Sequence, residues 1–231
     1  MTYFRHAIYA LFMAFSATAA TAQTTSVLDW SGAYAGLSFG KLYGDSTYCQ
    51  EGFSDICNGN PSNFDLPLPE PKGGFAAISG GYSWQRNSIV YGVEGDLAIA
   101  NADGAAPSTS DYGCGGNCVT NITNFATIRG RVGYVHNNWM PYVTAGLGAL
   151  DVEVGFPDFD PTTVASDWIF TPVVGLGVEY MASSNISFKL EALHFFEKNQ
   201  TIAAANNPCG APCGPTDVSA TIIRYGMNFH F

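Results

Sequence analysis

Asn124-Phe125-Ala126-Thr127-Ile128-Arg129-Gly130-Arg131-Val132-Gly133-Tyr134 sorts its side chains by parity. In an extended chain Ala126, Ile128, Gly130, Val132 and Tyr134 share one face, while Thr127, Arg129, Arg131 and Gly133 share the other. The same separation recurs elsewhere. Ile89, Tyr91, Val93, Leu97 and Ile99 oppose Glu94 and Asp96. Phe188, Leu190, Ala192 and Phe196 oppose Lys189, Glu191 and Glu197, and Ile223, Tyr225, Met227, Phe229 and Phe231 oppose Arg224, Asn228 and His230. The period is that of strands with one greasy and one charged face.

Working outward from this stretch gives eight candidate strands, at 30–44, 73–86, 89–103, 124–138, 139–155, 167–182, 186–202 and 218–231. Their separators alternate in length. Arg86-Asn-Ser88, Asn137-Asn138 and Ala182-Ser-Ser-Asn185 are tight and rich in turn formers. Segments 45–72, 104–123, 156–166 and 203–217 are long and carry the Pro, Gly and Cys clusters. An even strand number with short turns at one end and long loops at the other is the layout of a transmembrane β-barrel.

Composition decides which face is inside. The chain is 47% hydrophobic and only 12% charged, about half the usual charged share, too little to solvate eight strands from outside. Charge therefore belongs in the lumen and apolar side chains on the lipid side, where a mid-membrane Arg would cost about 2–4 kcal/mol. Beyond the leader no apolar run is long enough for a membrane helix, which leaves the closed barrel as the membrane solution. Aromatics gather in two bands: Trp30, Trp84, Tyr134, Trp139, Tyr180 and Phe229 near the turns, and Phe39, Tyr43, Phe75, Trp168 and Phe196 toward the loops.

Residues 1–22 read as a secretory signal peptide. Arg5 and His6 precede a short apolar run, and Ala20-Thr-Ala22 before Gln23 has the form of a cleavage site, so residues 23–231 form the barrel domain. Without Arg5, eight of the nine Lys+Arg remain against 19 Asp+Glu. That acidic balance argues against nucleic-acid binding, which needs cations to neutralise phosphates. Six cysteines in an exported chain point to disulfides, falling as local pairs Cys49–Cys57, Cys114–Cys118 and Cys209–Cys213. A zinc site from the two C-x3-C units is the competing reading; it leaves the first pair unused and suits an oxidising compartment poorly.

Four segments resemble the alphaproteobacterial porin-family outer-membrane barrels, the small OmpA-like or opacity-type proteins. These are Trp30-Ser-Gly-Ala-Tyr-Ala-Gly-Leu37, Tyr91-Gly-Val-Glu-Gly-Asp96, Arg129-Gly-Arg-Val-Gly-Tyr134 running on through Trp139-Met-Pro-Tyr142 to Gly146, and Gly175-Leu-Gly-Val-Glu-Tyr180 with the terminal Arg224–Phe231 strand. They occur in the family's order across nearly the whole mature chain. The cysteine pairs and the loop sequences depart from the pattern. The resemblance implies residence in the outer membrane among lipid and lipopolysaccharide. It also implies handling by the barrel-assembly machinery, with Tyr225, Met227, Phe229 and Phe231 as the assembly signal. Some members are associated with haem or host-surface binding, which the resemblance would assign to the loops.

No catalytic, cofactor or metal constellation emerges. His136, His194 and His230 are not spaced as ligands, and no Ser stands in a nucleophile-elbow context. Glu94 and Asp96 face Arg129 and Arg131 on the adjacent strand, and Glu179, Lys189, Glu191 and Arg224 reach a similar depth on the far wall. One hydrogen-bonded lumen layer of charge is expected. The functional expectation is a non-enzymatic envelope barrel presenting acidic, disulfide-bearing loops. The alternatives are a narrow porin-like channel, helped by small inward residues Gly36, Gly146, Gly148, Gly175 and Gly177, and a loop-mediated adhesin or ligand-binding protein. Eight strands leave an interior that side chains just fill.

Overall fold

The computed structural model describes residues 28–48, 69–107, 117–155, 164–201 and 215–231. Eight strands follow in order: β1 (Gly32–Tyr48), β2 (Lys72–Arg86), β3 (Ile89–Pro107), β4 (Asn117–Tyr134), β5 (Trp139–Gly155), β6 (Ala165–Ser183), β7 (Ile186–Thr201) and β8 (Pro215–His230). Each pairs antiparallel with its chain neighbour, and β1 pairs β8 from Tyr34↔His230 to Tyr48↔Thr216, closing an eight-stranded antiparallel barrel. Closure gives every strand two hydrogen-bonded neighbours, so the lipid sees no open edge. Among the described residues there is no helix.

Most strands outrun the expected segments on the loop side, β5 and β7 excepted. β3 continues to Pro107 and β4 starts at Asn117, where Pro107↔Asn117 still pair. At the opposite end β4 stops at Tyr134, short of the expected 138. Asn137 takes a left-handed φ of 55°, and His136 and Trp139 form an isolated bridge across that turn. Asn87, at φ 56°, does the same between β2 and β3. Asn tolerates this conformation better than other side chains, which is why the turns fall there.

Outward side chains are apolar over a defined height. On β3, Ile89, Tyr91, Val93, Leu97 and Ile99 are all exposed, and the polar Asn101 and Asp103 follow. That length matches the roughly 9–11 residues with which a tilted strand crosses the hydrocarbon layer. Aromatic pairs mark its turn-side border: Trp84 stacks on Tyr91 with centroids 5.7 Å apart, and Trp139 meets Tyr180 at 4.7 Å. Phe39 and Tyr225, 6.3 Å apart, lie toward the loop side.

Two of the aromatics placed in these bands belong elsewhere. Trp30 is only 1% exposed; it sits in the turn-side mouth against Val90, Val135, Met140 and Met181. Its backbone N–H donates to Gln85 Oε1 at 2.8 Å. Phe75 points inward as well, edge-on to Phe125. A register shift between Phe195 and Lys198 also turns the end of β7, so Glu197 is exposed and leaves the inward row expected of it.

Candidate functional site: the charged layer of the lumen

Glu94 and Asp96 on β3, Arg129 and Arg131 on β4, Glu179 on β6, Lys189 and Glu191 on β7 and Arg224 on β8 all project into the barrel and are at most 4% exposed. The register explains the grouping. Glu94 lies opposite Arg129, Glu179 opposite Lys189 and Glu191 opposite Arg224, so three strand pairs each deliver one opposed charge pair at the same depth.

The bonds then cross the bore. Arg129 reaches Glu94 Oε1 and Asp96 Oδ2, both at 2.6 Å, and Glu191 Oε1 at 3.0 Å. Arg224 meets Asp96 Oδ1 at 2.7 Å and donates from Nε to Glu191 Oε2 at 2.6 Å. Lys189 donates to both oxygens of Glu94 at 3.0 Å. Arg131 donates to Glu179 Oε2 at 2.6 Å, and its guanidinium lies over the rings of Tyr34 and Tyr142 at 5.4 and 4.7 Å. Hydroxyls fill remaining acceptor positions: Tyr34 donates to Glu94, Tyr142 to Glu191 and Thr127 to Asp96. Four carboxylates face four cations, so the layer is neutral as a whole. A low-dielectric site demands this, because an unpaired buried charge is costly.

Apolar layers lie on both sides. On the loop side Leu42, Ile122, Leu150, Val173, Leu193 and Ile222 are buried inside the barrel. There Phe75, Phe125 and Phe195 meet edge-on, with centroids 5.0 and 5.8 Å apart. On the turn side Trp30 caps the lumen. The inward glycines named as a possible path are occupied by neighbours. A β-carbon at Gly177 would stand 2.6 Å from the Tyr142 ring, one at Gly148 2.4 Å from Phe195, and one at Gly36 2.2 Å from Asn228 Oδ1.

Ser187 is a site residue the parity reading did not single out. Its hydroxyl donates to Glu179 Oε1 at 2.5 Å and lies 2.9 Å from His230 Nε2. Ser, His and Glu are thus neighbours, but in the wrong order for nucleophilic catalysis. The carboxylate holds the serine, and the imidazole nitrogen nearest it is the one that faces Ser187. The rings of Trp30 and Tyr34 flank His230, and Ser187 is fully buried, leaving no room for a substrate. His194 bonds Thr221 on the outer wall and His136 is exposed at a turn.

Tyr225, Met227, Phe229 and Phe231 all face outward on or just after β8, the strand that closes on β1. Cys49, Cys57, Cys114, Cys209 and Cys213 lie outside the described residues, as do the side chain of Cys118 and residues 1–22, the expected signal peptide.

A closed barrel with a greasy outer wall, aromatic borders and a charge-paired interior defines a transmembrane barrel of the bacterial outer membrane. The chain belongs to the outer membrane protein β-barrel domain family, whose profile matches residues 7–231. It is 39% identical over 112 residues to the 22 kDa outer membrane protein of Rhizobium leguminosarum bv. viciae, a match covering 48% of this chain and 46% of that protein. It is 27% identical over 209 residues to the 31 kDa outer-membrane immunogenic protein of Brucella melitensis, covering 87% of this chain and 84% of that one. The crystal structure of the outer membrane protein OprG from Pseudomonas aeruginosa shares the fold, with a TM-score of 0.54 at 12% identity over 87% of this chain and 97% of that one.

Proposed function

We propose that this protein is a sealed envelope barrel, without enzymatic activity, that works through its outer surface and loops rather than through a pore. The observation that supports this reading most directly is the charge-neutral layer bonded across the bore between two apolar layers. An eight-stranded interior is of a size that side chains fill. The three cysteine pairs would cross-link the acidic loops locally, and lipopolysaccharide and the assembly machinery would be the barrel's partners in the envelope. Relatives in Brucella are named immunogenic outer-membrane proteins. By analogy, the loops of this chain would be accessible from outside the cell.

Planar-bilayer recordings of the refolded mature protein test the reading. They should show no stepwise conductance above the lipid baseline, and sera against loop peptides 45–72 and 203–217 should label intact cells. Regular single-channel steps would favour the narrow-channel alternative and overturn the sealed barrel.

A further inference from the structure

The wall is closed within the bilayer but not at its loop-side rim. There β2 ends at Lys72, opposite Tyr43 on β1 and Asp103 on β3. The β6–β7 ladder stops at Val173↔Phe195, although β6 starts at Ala165 and β7 runs to Thr201. The remaining ladders continue. β3, β4, β5 and β6 stay joined through Pro107↔Asn117, Val119↔Gly155 and Val154↔Ala165. β7, β8 and β1 stay joined through Thr201↔Pro215 and Tyr48↔Thr216. Among the described residues, the rim is therefore two sheets, β3 to β6 and β7–β8–β1, that face each other across breaks on roughly opposite sides.

Residue chemistry marks both breaks. Pro71 stands where the β2 ladders stop and Pro172 where the β6–β7 ladder stops, and neither offers an N–H. Pro69 and Pro71 accept from β1: Gly44 N–H donates to Pro71 O at 2.7 Å and Ser46 Oγ to Pro69 O at 2.8 Å, so this short segment goes with β1. Unpaired backbone is tolerable here because water, not hydrocarbon, surrounds it. On β3 the outward side chains have already turned polar at Asn101 and Asp103, and on β7 Glu197 and Lys198 are exposed at the break. The inner faces of the two sheets are apolar, with Ile122, Val152 and Val154 on one and Val218 and Ala220 on the other, all in one buried cluster. Side-chain hydroxyls span the breaks. Thr171 Oγ1 donates to Phe196 O at 2.6 Å, and Ser46 Oγ lies 3.0 Å from Thr120 Oγ1.

We propose that the rim is a two-leaf clasp, in which the sheets β3 to β6 and β7–β8–β1 part and close as units above a barrel that stays shut. Within each leaf a continuous ladder resists separation. Between the leaves stand apolar contact and a few hydroxyl bonds, and local opening follows the boundary with the fewest backbone bonds. Connections 108–116 and 156–163 leave from the first leaf and 202–214 from the second, so the clasp sets the spacing of two groups of loops. The inference goes beyond the sealed lumen and does not depend on it, since the charged layer lies below both breaks.

Reaction of a buried thiol reads the opening. Val218→Cys places one on the inner face of the second leaf, level with Ser46 and Lys198, and Ala98→Cys places a control inside the apolar band. The full mature chain is held in phosphatidylcholine nanodiscs with a water-soluble maleimide. Fragment mass spectrometry separates the new thiol from the native cysteines, and heat-modifiable migration verifies that each variant is folded. The thiol at 218 should react slowly, at a rate proportional to the open fraction, and the one at 98 should stay unlabelled. Thr171→Val should speed labelling at 218 about fivefold, the effect of one lost hydrogen bond, and so should Ser46→Ala at the other break. Together they should multiply to about twenty-fivefold, because one opening parts both breaks. A rate that responds to one variant and not the other would mean that strands fray singly, and would overturn the clasp. So would unchanged rates in both, or equal labelling at 98, which would mean that the whole barrel opens. Planar bilayers should stay silent for both variants; conductance steps there would count against the sealed lumen and leave the clasp standing.

Discussion

Arg131 shows what a single side chain carries in this interior. It is the one guanidinium bonded to Glu179 Oε2, while Ser187 and Asn228 both donate to the other oxygen. Arg131→Ala should leave that carboxylate buried against neutral donors and cost about 3–5 kcal/mol of folding free energy, read from urea titrations in lipid vesicles. Adding Glu179→Gln to the same protein should recover a large part of the loss, since the unpaired charge goes with it. An Arg131→Ala barrel as stable as wild type would remove the energetic role of the layer. Glycines divide by the same logic. Gly177→Ala would drive a methyl into the Tyr142 ring and push its hydroxyl off Glu191, costing about 1–3 kcal/mol. Gly95→Ala on the outer wall meets only the Thr127 carbonyl at 3.6 Å, ordinary contact, and should be neutral within about 0.5 kcal/mol. The two melting profiles compared side by side check both.

At the scale of the strand, parity made the charged layer legible, because Glu94, Arg129, Lys189 and Arg224 each sit one residue from an exposed apolar neighbour. Parity did not reveal the apolar loop-ward half of the lumen, where both faces are greasy and alternation vanishes. The signal was present as doublets, Ile169-Phe170, Phe195-Phe196 and Ile222-Ile223, in which one member is buried and the next exposed. Register shifts compound the difficulty. One between Ile122 and Asn124 moves the inward row of β4 from even positions (Thr120, Ile122) to odd ones (Phe125 onward), and a bulge leaves no mark in residue type. Trp30 differs again: it shares the even, inward parity of Tyr34 and Leu42, and grouping it by residue type with the border aromatics places it on the wrong wall. The aromatic trio carries its own prediction. Phe195→Ala should open a cavity beneath Phe125 and cost about 3–5 kcal/mol, measured as a shift in the unfolding midpoint. The proposed loop bridges act on another element altogether. Each closes a short ring, so reduction should leave the heat-modifiable folded band intact while speeding proteolytic nicking of loops 45–72 and 203–217. Outright unfolding on reduction would mean that the pairs cross between loops.

Across the whole molecule, charge is distributed by depth. Among the described residues Arg129, Arg131, Lys189 and Arg224 are spent on four interior carboxylates, leaving Lys41, Lys72, Arg86 and Lys198 exposed beside Asp29, Asp45, Glu70, Asp103, Asp167 and Glu197. The neutral interior leaves the chain's acidic excess to the residues outside it. In the proposed sealed barrel, closure is likewise shared between levels. Trp30 closes the turn-side mouth, the ion pairs cross the middle, and Phe75, Phe125 and Phe195 meet above them. A gate would concentrate closure in one movable residue, whereas three stacked layers make each one part of the packed core. The two ideas separate in Trp30→Ala. Loss of a fully buried indole from the mouth should lower stability by about 3–5 kcal/mol in vesicle unfolding. It should leave the planar bilayer silent, because water entering from the turn side still meets the guanidinium–carboxylate bonds that cross the bore. A Trp30→Ala barrel that conducts in steps while folding as firmly as wild type would make the indole a gate and the layers above it permeable.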